Sequence, residues 1–362
     1  MIPIAKPLMD NQEIENVVRV LKSGMLASGE FVNNFENAFA DYIGTSYAVT
    51  TTSGTTALDI ALKAIRIKSG DEVIVPDFTF NATANAVLFQ DAKPVFADVD
   101  EETFCMDYKD VLEKISPRTK AIIGVHLFGH PFELNAIQEI CEDHDIFLIE
   151  DCAQAHGAEC KGQKIGSFGI IGCFSFYATK NMTTGEGGMV TTKDKEMEER
   201  LRLLINHGQS QKYSHTTLGY NYRMTDIQAA IGVAQLSKLD KFNEKRMNNA
   251  EYLNKHLDVP LKTPYKEKDV KHVYHQYVVK IEEDFPMKRD EFIRYLSDNG
   301  IGSAVHYPLP VHRQPLYQGL GYEWDQCPNA TGLSEIVLSL PVHPIVTDND
   351  LKHVCNIING VS

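Results

Sequence analysis

Short β-rich runs recur through the first half of the chain, at Tyr47–Thr51, Glu72–Val75, Pro94–Asp98, Ala121–His126, Ile146–Glu150, Cys173–Tyr177 and Met189–Thr192. Segments with helical periodicity stand between several of them, at Thr55–Ile65, Asn81–Phe89 and Leu134–His144. A helix between two strands carries the chain back, so that both strands run the same way. The alternation therefore predicts an α/β fold whose large domain holds a mostly parallel seven-stranded sheet with covered faces. With 362 residues and 43% hydrophobic content, the chain can build that core and a second, smaller body.

The pattern changes near Asp226. Residues Asp226 to Leu257 read as one long, bent helix, with Ile227, Ile231, Ala234 and Leu239 among its apolar positions. Beyond Pro260 the units are shorter: a strand-like run at His275–Ile281, a helix from Lys288 to Asp298 that stops at Gly300, and a closing helix at Asp348–Asn359. We expect a large domain over residues 1–245 and a smaller α+β domain over residues 246–362. The N-terminal segment is expected to touch the small domain or a partner subunit.

Charge narrows the function. A net charge of −14 argues against a nucleic-acid surface, which needs a basic patch. The longest apolar runs are strand-sized, so no membrane span is expected, and Met1–Asp10 lacks the pattern of a secretory signal. Seven cysteines without a C-x-x-C pair fit reduced thiols in the cytoplasm better than disulfides or zinc. His126 and His130 lie four apart with no third ligand, so no metal is expected. Gly166, Gly169 and Gly172 precede a strand rather than follow one, which is the wrong order for a dinucleotide site. Lys193–Arg202 reads as a solvated helix face.

Three motifs carry chemistry. Ser53-Gly54-Thr55-Thr56-Ala57-Leu58 directly follows a strand. Small residues there let backbone approach an anion at a helix N-terminus, although a plain capped turn fits too. Asp151, in Glu150-Asp151-Cys152-Ala153-Gln154-Ala155-His156, ends an apolar strand, where open α/β sheets bind ligands. It is either a helix-capping residue or a buried carboxylate that needs a cation, such as a protonated pyridine nitrogen. Lys180 follows Phe174-Ser175-Phe176-Tyr177-Ala178-Thr179 and precedes Thr184-Gly185-Glu186-Gly187-Gly188. Most lysines are solvated, but this one sits among apolar, hydroxyl and glycine neighbours. Desolvation there favours the neutral amine that forms a Schiff base.

Together these motifs resemble the DegT/DnrJ/StrS family of sugar aminotransferases, within the aspartate aminotransferase-like enzymes that use pyridoxal phosphate (PLP). The resemblance runs along nearly the whole chain. It includes Ser23-Gly24 and Ser28-Gly29, the run from Val73 to Ala86, His126-Leu127-Phe128-Gly129, the run from Gly219 to Gly232, and Ala304-Val305-His306-Tyr307-Pro308.

Position by position, the resemblance implies the following roles. Lys180 carries the cofactor as a Schiff base and Asp151 pairs with its pyridinium nitrogen. Gln154 lies near its phenolic oxygen, and Phe80 stacks on its face. Gly54, Thr55 and Ser175 form the phosphate cup. Asn221 and Arg223 reach the site from the partner subunit of a homodimer with shared active sites. His306 lies in a substrate-facing loop. The implied reaction moves an amino group from L-glutamate to a nucleotide-linked keto sugar for polysaccharide or glycan biosynthesis. Thr183–Gly188 and Gly219–Met224 resemble members that aminate a 4-keto-6-deoxyhexose, whereas Ala304–Pro310 resembles members acting on 3-keto sugars. A non-catalytic regulatory protein on the same fold is a separate reading, which a cofactor spectrum with and without glutamate distinguishes.

Overall fold

The computed structural model describes residues 1–361. Helix α1 (Asn11–Ser23) starts in a capping box. The Asp10 side chain accepts from the Gln12 amide, the Glu13 carboxylate takes the Asp10 amide, and the helix ends at Gly24 with φ 73°. Helix α2 (Glu30–Ile43) follows Gly29, which has no side chain to cap with. Asp226, distant in sequence, supplies the cap by accepting from the amides of Gly29, Phe31 and Val32.

The chain then enters the main sheet. Its strands and helices come in the order β1 (Tyr47–Thr51), α3 (Gly54–Ala64), β2 (Glu72–Pro76), α4 (Ala82–Leu88), β3 (Lys93–Ala97), α5 (Tyr108–Lys114), β4 (Thr119–Val125), α6 (Leu134–His144) and β5 (Phe147–Asp151). A short ribbon, β6 (Glu159–Cys160) with β7 (Gln163–Lys164), precedes β8 (Ile171–Ser175) and β9 (Gly188–Thr192). Seven of these strands pair in the order β1-β9-β8-β5-β4-β2-β3. Only β9 runs antiparallel to its neighbours, so the sheet is the mostly parallel one expected. The register sets Val125 beside Asp151 and Asp151 beside Cys173, so β4, β5 and β8 deliver their ends to one place.

Helix α7 (Lys195–Ile205) buries Met197, Leu201, Leu204 and Ile205, which leaves its charged positions for solvent. A ribbon of β10 (Gln209–Gln211) and β11 (Ser214–His215) follows. The expected long bent helix is two helices, α8 (Asp226–Leu236) and α9 (Leu239–His256). They part at Ser237, whose hydroxyl bonds back to the Ala234 carbonyl, and at Lys238, whose ammonium is held 2.8 Å from both Asp10 and Glu13.

A second sheet pairs β12 (Leu261–Lys262), β14 (Tyr277–Ile281) and β15 (Val337–Leu340), all antiparallel, while β13 (Val270–Lys271) joins the β6–β7 ribbon. With α10 (Arg289–Asp298) and α13 (Asp348–Asn359) it encloses a second core around Leu253, Tyr277, Phe292, Leu340 and Val354. Ile2 bridges Ile301 beside this core. Helices α11 (Pro315–Gly319) and α12 (Pro328–Ile336) turn back, and Tyr317, Ala330 and Leu333 pack on the first core. No helix among the described residues is long and apolar enough to cross a membrane.

Candidate active site

A cavity of about 350 Å³ opens at the carboxyl ends of β1, β2, β4, β5 and β8. Gly54, Thr55, Phe80, Asp151, Gln154, Ser175, Lys180 and His306 all line it. Asn221 and Arg223 do not. Asn221 is exposed and bridges Asn206, and Arg223 donates to the Asn206 side chain at 2.6 Å. A larger open hollow of about 890 Å³ at the opposite end of β2 and β3 offers paired charges, since Glu72 already holds Arg118 at 2.7 Å and Lys93 at 3.5 Å.

Asp151 forms the floor. Its carboxylate accepts from the Thr83 hydroxyl at 2.8 Å and the Ala153 amide at 3.1 Å. Burial pushes its pKa up, and these neutral donors with the nearby Lys180 charge do not offset it. The layer beneath is rigid. Glu150 accepts from the amides of Gly166, Phe168 and Gly169 and faces His126 Nε2 at 3.0 Å. Burial opposes the charge of Glu150, but His126 and the Gly166 and Gly169 amides outweigh it and hold its pKa low. The glycine run thus cradles the chain's own carboxylate. His126, Glu150 and Cys152 come within 4.8 Å of one another, yet His126 Nδ1 already accepts from the Phe132 amide and its Nε2 faces Glu150, so the ring has no lone pair to spare for a metal.

Lys180 stands on a pinned loop between β8 and β9. The Lys180 amide bonds the Tyr177 carbonyl, the Thr184 amide bonds the Phe176 carbonyl, and the Phe176 amide bonds the Gly187 carbonyl. Burial lowers the Lys180 pKa to about 8, with Asp151 pulling the other way. Opposite lies the start of α3. Ser53 caps it by accepting from the Thr56 amide, while Gly54 and Thr55, whose amides a helix cannot satisfy internally, line the cavity. A Cβ on Gly54 would stand 2.6 Å from that of Ser175, so only glycine lets these two walls meet.

Several lining residues were not singled out by sequence. Thr83 reaches Asp151, and Tyr307 takes a hydrogen bond from Gln154 at 2.9 Å, while Gln154 accepts from the Phe128 amide. His275, Gln276, Tyr177 and Glu186 complete the wall. Both Thr83 and Tyr307 lie within motifs quoted above, Thr83 three residues after Phe80 and Tyr307 directly after His306. Burial, with Lys180 adding, pushes the His306 pKa down to about 4, and its Nδ1 lies 2.8 Å from the Ser339 hydroxyl.

The sequence pattern of the DegT/DnrJ/EryC1/StrS aminotransferases matches residues 7–359. The chain belongs to the DegT/DnrJ/EryC1/StrS aminotransferase family. Among its relatives, the UDP-N-acetyl-3-dehydro-alpha-D-glucosamine 3-aminotransferase of Acidithiobacillus ferrooxidans is 40% identical, over 97% of this chain and 94% of that one. The GDP-perosamine synthase of Escherichia coli O157:H7 is 39% identical, over 99% and 98%. Among solved structures, DesV of Streptomyces venezuelae superposes with a TM-score of 0.92 at 38% identity, covering 96% of this chain and 94% of that one. The PLP form of Spr1654 from Streptococcus pneumoniae gives 0.95 at 30% identity, covering 99% and 98%.

The protein is accordingly a PLP-dependent aminotransferase of the aspartate aminotransferase-like fold. Its cavity fits the cofactor on physical grounds. Asp151 is a buried carboxylate surrounded by neutral donors, which a pyridinium would complete. At the other end, a helix N-terminus and the Ser175 hydroxyl suit a phosphate. Lys180 joins the same cavity with a weakened hold on its proton.

Proposed function

We propose that this enzyme moves an amino group from L-glutamate to a nucleotide-linked keto sugar, giving an amino sugar for a polysaccharide or glycan. The observation that carries this reading is one small cavity holding both an unpaired buried carboxylate, Asp151, and a desolvated amine, Lys180. Lys180 would hold PLP covalently, Asp151 would pair with its ring nitrogen, and Gln154 would face its phenolic oxygen. Gly54, Thr55 and Ser175 would take the phosphate, with Phe80 against the ring. PLP supplies an electron sink for negative charge at the carbon bearing the amino group.

The remaining work falls to the chain. With its pKa lowered to about 8, Lys180 Nζ is readily freed of its proton; once released it would take the proton from the α-carbon of the amino donor and deliver it to the cofactor carbon, leaving the nitrogen on the cofactor. His306 stays uncharged at neutral pH and meets the sugar as a hydrogen-bonding ring. Donor and sugar use one cavity in turn, so the kinetics should be ping-pong.

The active unit is a homodimer in this reading. Phe80 and Tyr177 are exposed at the cavity mouth in the single chain, and Asn221 and Arg223 lie outside its cavity. The position of Asn221 and Arg223 outside the cavity supports their delivery to the partner's site. Seven free, buried cysteines support a cytoplasmic setting. The proposed domain division is residues 1–245 and 246–362: every fully buried member of the second core lies between Ala250 and Val361, although α11 and α12 of that part pack on the first core.

For the sugar, Thr183–Gly188 and Gly219–Met224 support a 4-keto-6-deoxyhexose. A 3-keto sugar is the second reading. It is supported by Ala304–Pro310 and by relatives whose names place the amine on carbon 3, among them dTDP-3-amino-3,4,6-trideoxy-alpha-D-glucose transaminase of Streptomyces venezuelae, 40% identical over 91% of this chain. The test is a panel of keto-sugar nucleotides with glutamate, reading product mass and the carbon that carries the new amine. Lys180→Ala should abolish turnover; wild-type turnover in that variant refutes the assignment.

A further inference from the structure

Behind Lys180 lies a line of buried amides that ends on His275. Asn243 Nδ2 donates to the His156 carbonyl at 2.7 Å. Its Oδ1 accepts from Asn181 Nδ2 at 2.8 Å, and that same nitrogen faces the Val273 carbonyl at 3.3 Å. Asn181 Oδ1 in turn lies 3.0 Å from His275 Nδ1. Asn181, Asn243 and His275 are all buried.

The direction of this line is determined by backbone. The carbonyls of His156 and Val273 can only accept, so both asparagines must turn their NH₂ groups toward them. Asn181 then has only its oxygen left for His275, and His275 Nδ1 must carry the proton. The lone pair is thereby placed on Nε2, on a ring that lines the cavity beside Lys180. The backbone of His275 is held as well, since Arg246 Nη1 donates to the carbonyls of Tyr274 and His275 at 3.3 and 3.2 Å.

We propose that His275 is a positioning residue for the Lys180 amine: its Nε2 lone pair, on a ring lining the same cavity, is the acceptor to which the freed Nζ turns, and this fixes where that nitrogen stands. The amide line gives the ring one tautomer and one orientation. Burial keeps the ring neutral, and the charges of Lys180 and Arg246 add to that, so the acceptor persists at working pH. The charged and titratable groups that act on this ring are Lys180, Arg246, His306 and His156, and Asp151 acts on Lys180 in turn.

The inference rests on the reading of Lys180 as the cofactor-binding amine, which is checked separately by PLP capture in wild type and its loss in Lys180→Ala. The positioning role is tested on the apoenzyme by following reaction of Lys180 with an amine-directed reagent against pH. An asparagine at 275 reproduces the donor toward Asn181 but has nothing at the Nε2 position; a glutamine reaches that position with an acceptor oxygen. Wild type should label with a midpoint near pH 8. His275→Asn should lower the midpoint by about one unit, the value of one hydrogen bond to a charged group, and His275→Gln should restore it. Equal midpoints in all three, or rescue by asparagine rather than glutamine, overturn the proposal. Nitrogen NMR of histidine-labelled wild type needs no variant at 275. It should show a neutral ring protonated at Nδ1 whose Nε2 signal moves as Lys180 titrates, and a ring protonated at Nε2 overturns the proposal too.

Discussion

The Thr83 hydroxyl donates to Asp151 at 2.8 Å, and the two residues come from segments separated by two strands and two helices in the chain. Thr83 lies in α4, on the crossover after β2, while Asp151 ends β5. A carboxylate kept ionised under a cofactor needs every donor it has. Hydrogen bonds to charged groups are worth about 1.5–3 kcal/mol. Thr83→Val keeps the shape and removes the donor, so PLP affinity should fall by about 10–100-fold. Thr83→Ser should remain near wild type. A cofactor titration of the apo forms reads this directly, and an unchanged affinity in the valine variant would show that Thr83 is only a packing residue.

Asp151 itself should make the apoenzyme less stable as pH rises. Its folded pKa is raised, chiefly by burial, above the roughly 3.9 expected unfolded. The unfolded chain therefore releases this proton first. The stabilisation is complete below the unfolded pKa and is lost as pH climbs through the folded one. Asp151→Asn cannot ionise, so its apo form should melt a few degrees above wild type at neutral pH, with the gap closing in acid. Addition of PLP should reverse the order. Melting curves with and without cofactor at two pH values test both halves.

Lys180 gives the opposite slope in another window. Burial lowers its folded pKa to about 8, against an unfolded value of roughly 10.4. Between these values the unfolded chain holds the extra proton, so stability contributed by this group rises with pH. In the apoenzyme, Lys180→Met should remove that rise and leave the rest of the curve unaltered. Wild type and variant with parallel stability curves from pH 8 to above 10 would mean that Lys180 keeps an ordinary pKa.

Local chemistry made much of this legible in advance. The seven strands show as apolar or β-branched runs; Asp151 ends one of them, and Lys180 stands five residues beyond another among apolar, hydroxyl and glycine neighbours, where charged residues are rare without a reason. Helix α1 also had a signal, Asp10 followed three residues later by Glu13. Other features arise from pairings that no periodicity encodes. Tyr307 meets Gln154 across 153 positions, and Asp226 caps α2 from 194 positions beyond Val32. The break between α8 and α9 depends on Lys238 being drawn to Asp10 and Glu13, which lie at the other end of the domain's sequence. Residues whose roles depend on the fold having formed are invisible to motif reading unless they happen to stand inside a motif.

Gly172 tests whether the layer beneath Asp151 is as rigid as its hydrogen bonds suggest. A Cβ there would lie 2.6 Å from the Gly166 Cα, 2.7 Å from its carbonyl oxygen and 2.6 Å from the Thr191 hydroxyl. None of these is the free end of a flexible chain. Gly166 has φ 85° and donates its amide to Glu150 at 2.7 Å, and Thr191 donates to the Gly166 carbonyl at 2.7 Å. Gly172→Ala must therefore push the Gly166 turn away from Glu150, weakening one of the bonds that keeps this buried carboxylate ionised. Overpacking of this kind costs about 1–3 kcal/mol. The denaturation midpoint should fall, and PLP affinity should fall with it, because Asp151 follows Glu150 directly on β5. Loss of stability with unaltered PLP affinity would mean that the floor of the site is decoupled from the glycine turn beneath it.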